Sequence, residues 1–153
     1  MSLLFKTLLS IHVIAGILGV VSFYAVWFNL LRQRFEIRTL KGYSLAGAIF
    51  LICSWLAGGY YYLKNYGAAV RDVVRAGPNP WAHNLIMETK EHIFLFLPIL
   101  AVVITIVIWL NAAKISEDQN LKKQLMILSG IVAWLGIIIT LFGAVISGSV
   151  RII

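Results

Sequence analysis

The chain is short of charge, of proline and of cysteine, and each shortage excludes something. Only 12% of its 153 residues are Asp, Glu, Lys or Arg, about half the share that an ordinary water-soluble domain carries. A soluble globule is therefore excluded. Acidic residues are the scarcer kind, 6 against 13 basic ones, for a net charge of +7. The basic residues stand singly or in small groups between apolar runs and form no stripe or tail, which excludes a nucleic-acid partner. One cysteine, Cys53, allows no internal disulfide. There is no glycine-rich phosphate loop, no Cys-x-x-Cys, no His-Glu-x-x-His and no nucleophile elbow, so the chemistry those motifs support is not indicated. Only three prolines, Pro78, Pro80 and Pro98, interrupt the chain.

What is present is apolar: 61% of the residues, with a mean hydropathy of +0.91. Four segments stand out, at about 3–31, 43–64, 84–111 and 124–150. Each is long enough to cross a bilayer at ~20 residues per span, and none alternates with period two, so the reading is helix throughout. The expected fold is all-α, an integral membrane four-helix bundle running up-down-up-down, with 1–153 as a single transmembrane domain. Lys6 precedes a long apolar stretch without an A-x-A cleavage site, so the first segment reads as a retained span. Asn79-Pro80 reads as the cap and first residue of the third helix, and Ser116-Glu117-Asp118 as the cap of the fourth. The stretch Asn65–Asn79 between the second and third spans reads as the longest connection. Arg32, Arg34, Arg38, Lys41, Lys114, Lys122 and Lys123 cluster in two short loops, which places those loops in the cytoplasm and both termini outside it.

Ionisable groups are costly inside lipid, so those within or beside a span are the first functional candidates. His12 lies in the first span, and Glu88, Lys90, Glu91 and His92 open the third. His12 is 20 residues from Arg32 and His92 is 22 from Lys114, about 30 and 33 Å along a helix. The two histidines therefore lie at nearly one depth. In an up-down-up-down bundle the first and third helices are parallel and diagonal, and a flat haem b between them takes one axial histidine from each. Gly16 and Gly19 share a face with His12, and Gly58 and Gly143 fall near the same depth, so these four are candidate haem neighbours. Small residues at such spacing also serve plain helix packing. Glu88, four residues before His92, shares its face and could complete a His12, Glu88 and His92 set for a single Zn, Cu or Fe ion. The competing reading for Glu88 is a surface salt bridge with Lys90, Arg71 or Arg75. Lys90 and Glu91 are expected to face headgroups or water. His83, nine residues before His92, falls on the opposite face and reads as an interfacial residue.

The run LLSIHVIAGILGVVSFYAVW from Leu8 to Trp27 resembles the first span of small bacterial four-helix membrane proteins, the copper-resistance D-like proteins and the HemJ-like protoporphyrinogen oxidases. With the His-bearing start of the third span, this resemblance implies haem b held by transmembrane histidines in a bacterial cytoplasmic membrane. Only His12 and His92 carry over from it, and no specific enzymatic activity does. The leading expectation is a b-type cytochrome passing electrons to or from quinone or a partner redox subunit. The alternatives are a non-catalytic accessory subunit of a larger membrane complex, or a homo-oligomer, and a bare-metal site.

Overall fold

The computed structural model describes residues 2–32 and 36–151, the last two of these as backbone alone. Arg34, one of the loop cations counted above, lies outside the described residues. Every regular element is helical. Helix α1 runs Leu3–Leu31 and is started by Ser2, whose hydroxyl accepts from the Phe5 amide. Helix α2 begins at Ile37, earlier than the apolar run suggests; at its start Thr39 Oγ1 donates to the Glu36 carboxylate at 2.8 Å. It runs regularly to Tyr61 and continues as a π-helical stretch, Tyr62–Val70, and a short helix α3, Arg71–Ala76. The expected connection at 65–79 is thus mostly helical. With no proline before Pro78, nothing there removes a backbone donor, and Tyr66 and Val74 are buried.

A second π-helical stretch, Ala82–Met87, leads into α4, Glu88–Leu110, and α5 covers Gln119–Arg151. Asp118 caps α5: its Oδ1 accepts from the Asn120 and Leu121 amides at 2.9 and 3.0 Å, satisfying two donors that a helix start leaves open. Four helical stretches are long and apolar enough to cross a membrane: Leu3–Leu31, Ile37–Ala76, Ala82–Leu110 and Gln119–Ser149.

Helices α1 and α4 each pack against α2 and α5, which leaves α1 and α4 on a diagonal. The core between them holds Phe23, Val26, Leu51, Leu97, Ile104, Ile108 and Val132, all essentially inaccessible. Small residues set how closely the backbones approach. A Cβ on Gly19 would stand 2.7 Å from Leu51 Cγ, and one on Gly47 would stand 2.7 Å from the Phe23 ring, so α1 and α2 meet backbone to side chain. Trp27 lies over Gly130 and Val20 over Gly136, which does the same for α1 and α5. Thr105 Oγ1 ties α4 to α2 through the Ser44 carbonyl at 2.9 Å. The outer faces are apolar as well: Val21, Leu56, Ile99, Val103 and Leu141 are all exposed. Such an outside suits lipid, where apolar surface carries no penalty.

Candidate ligand site at one end of the bundle

His12 is the one acidic or basic side chain of α1 between Lys6 and Leu31. It is half-buried and turned to α2, with Nδ1 3.0 Å from both the carbonyl oxygen and the hydroxyl of Ser54. The Ser54 hydroxyl itself donates to the His12 carbonyl at 2.8 Å. Both Ser54 groups therefore act as acceptors toward the ring, which puts the proton on Nδ1 and leaves the Nε2 lone pair uncommitted. Gly58 makes room for this ring, since a Cβ there would fall 2.5 Å from Nδ1. Across the diagonal the ring meets Phe94 of α4 edge-on, with centroids 5.3 Å apart and planes at 89°.

His92 is at the same level but on the other side of α4. It is exposed, and its Nδ1 donates to the Glu88 carbonyl one turn back at 2.7 Å. Phe94, which His12 touches, is two residues further on, about 160° away around the helix. His92 and Glu88 do share a face, as their spacing requires, and with Asn84, Leu85, Thr89 and Ile93 they border a shallow, open hollow on the outer side of α4. The structure does not bring His12, Glu88 and His92 together. Among the described residues no three His, Cys, Asp or Glu side chains gather as a metal site.

For haem, the donor chemistry fits and the placement of the second ligand does not. His12 and His92 each have Nδ1–H held by a backbone carbonyl and an Nε2 with no partner among the described residues, the arrangement typical of a ligating imidazole. Turning α4 so that His92 faced His12 would pull Leu97, Leu100, Ala101 and Ile104 out of the core, all of them buried. The glycines divide similarly. Gly16 approaches the Ser54 hydroxyl, 3.1 Å from a Cβ, and Gly19 seats Leu51, so both serve the α1–α2 contact. Gly58 faces His12, and Gly143 faces the Lys90 ammonium, 3.5 Å from a Cβ. No single cavity is shared by the four.

The inward face of this end of α4 is Lys90, Glu91 and Phe94. Lys90 and Glu91, expected to face headgroups or water, are both half-buried, and Glu91 Oε1 is buried with no hydrogen-bond partner among the described residues. Above them the two π-helical stretches close the end of the bundle. Tyr62 and Tyr66 stack at 5.5 Å, and the Tyr66 hydroxyl lies 3.3 Å from His83 Nδ1. His83, expected at the interface, is only 3% exposed. The sequence carried one signal for this cap, the i, i+4 pair Tyr62 and Tyr66, hidden within the tyrosine run at 60–62. π-Helical turns are uncommon and recur at functional sites, and here two of them bracket the polar end.

Comparison with protein-family models, with curated proteins and with solved structures finds no match.

Proposed function

We propose that this chain is a multi-pass protein of a bacterial cytoplasmic membrane, its four long helices alternating in direction and its termini outside the cytoplasm, and that it is a b-type cytochrome in which His12 would hold the haem. The alternation is supported by contacts between the two basic loops: Lys122 Nζ donates to the Arg32 carbonyl, and Lys41 lies over the Trp109 ring. The haem reading rests on one observation. Within an apolar span, His12 holds a braced imidazole whose Nε2 has no partner among the described residues. When bound, haem would supply one-electron transfer. The protein's own part is to fix the ring: Ser54 sets its tautomer, Gly58 admits it, and Phe94 and the surrounding apolar side chains exclude water. His92, on the outer face, is left free of this role.

A second reading, a cofactor-free accessory subunit of a larger membrane complex, is favoured by Phe94, which already fills the space in front of His12. One experiment separates the two. The full chain is produced with ample haem, purified in detergent and measured by absorption and pyridine haemochrome. A Soret band in the wild type and His92→Ala that is absent in His12→Ala supports the cytochrome. A colourless wild type, or a band that survives His12→Ala, overturns it.

A further inference from the structure

Tyr66 and His83 are each only 3% exposed. They stand on different π-helical stretches, so the 3.3 Å between the phenol oxygen and Nδ1 is bridged across the cap rather than along one helix. A buried phenol needs a hydrogen-bond acceptor, and an imidazole is a far stronger base than the carbonyls and hydroxyls that usually fill that role. This matters for electron loss. Removing one electron from a phenol turns its O–H into a strong acid, so the electron leaves readily only where a base takes the proton at once. Water does this for an exposed tyrosine. For Tyr66 the base within hydrogen-bond reach among the described residues is His83, and the imidazolium so formed stands among Glu88 and Glu91 as well as Arg71 and Arg75. The electron also has a way out. The Tyr62 ring stacks on Tyr66 with centroids 5.5 Å apart and planes at 23°. It is only half-buried, and its hydroxyl faces the Glu91 carboxylate, so each ring of the stacked pair has its own base.

We propose that Tyr66 is a redox-active tyrosine: an organic peroxyl radical at this end of the bundle takes one electron from the stacked pair through Tyr62, and the phenolic proton of Tyr66 passes to His83 Nδ1. The phenol O–H breaks and an imidazole N–H forms. Tyr66 becomes a neutral phenoxyl radical, and the peroxyl radical becomes a hydroperoxide anion that water protonates. His83 keeps its proton beside the radical and gives it back when an electron returns. Peroxyl radicals form on the acyl chains that would surround such an apolar bundle, which makes them the oxidant at hand, and burial keeps the phenoxyl from meeting them directly. Haem has no part in this chemistry, since His12 takes no step in it.

The test is flash oxidation of the full chain in detergent by photogenerated tris(bipyridine)ruthenium(III), followed by transient absorption and freeze-quench electron paramagnetic resonance. The wild type should give a neutral tyrosyl radical that outlives the radical of N-acetyltyrosinamide in the same micelles. Tyr66→Phe, which keeps the stack and loses only the hydroxyl, should abolish this long-lived signal. Tyr62→Phe should slow its formation, and His83→Gln, which removes the base, should slow it by about tenfold or more. Peroxyl radicals from a lipid-soluble azo initiator under air should give the same radical, and their failure to do so overturns their assignment as the oxidant. A wild type without a long-lived tyrosyl signal overturns the proposal, as does a signal undiminished in Tyr66→Phe or formed at the wild-type rate in His83→Gln. Circular dichroism of the three variants confirms that helix content is retained.

Discussion

Gly58 and Gly59 are consecutive residues of α2, and replacing each by alanine separates helix propensity from the contact with His12. A Cβ on Gly59 meets nothing within 4 Å, so Gly59→Ala should gain up to about 1 kcal/mol from the better helix former. A Cβ on Gly58 falls 2.5 Å from His12 Nδ1 and 2.8 Å from Cε1. The imidazole must move, and its hydrogen bond to Ser54 goes with it. Overpacking costs about 1–3 kcal/mol and the lost bond about 1 kcal/mol. Against the same gain of about 1 kcal/mol in propensity, Gly58→Ala should be less stable than wild type by about 1–3 kcal/mol. The assay is loss of helical circular dichroism during titration with a denaturing detergent in mixed micelles. A double-mutant cycle with His12→Ala completes it, because removing the ring should abolish the penalty of Gly58→Ala. Equal stability of the two alanine variants, or a Gly58 penalty unchanged in the His12→Ala background, would refute the described packing of His12.

Two further outcomes test the rest of the bundle. Asp118→Ala removes the acceptor for two amides at the start of α5 and should cost about 1 kcal/mol in the same titration, with Asp118→Asn or Asp118→Ser restoring most of it; no change would contradict the cap. Ser129 is fully buried on α5 and its hydroxyl has no partner among the described residues, so Ser129→Ala should be neutral or slightly stabilising. A loss above about 1 kcal/mol would show that the hydroxyl is bonded.

The helical character and the four helices long and apolar enough to cross a membrane were legible from composition: a run of apolar residues this long can leave water only by satisfying its backbone within itself. The Asp118 cap was legible for the same local reason, a short acceptor directly ahead of a helix start. His12 stood out as the one acidic or basic residue between Lys6 and the end of its span. The orientation of α4 was not legible. From Ile93 to Leu110 that helix is apolar on every side except for Thr105, so its periodicity says little about which side faces inward. A soluble helix declares its buried face by a polar opposite face, and a helix between lipid and protein need not. The pairing of His12 with His92 followed from depth alone, and depth is only one of the two coordinates that place a side chain.

By itself, then, the sequence determined the number of long helices, their apolar exterior and the level at which polar chemistry occurs, since each depends on composition along one dimension. Tertiary packing decided the azimuth. Small residues on α1, α2 and α5 fix how the helices approach, the buried row Leu97, Ala101, Ile104 and Ile108 fixes the rotation of α4, and that rotation sets Phe94 and Lys90 inward and His92 out.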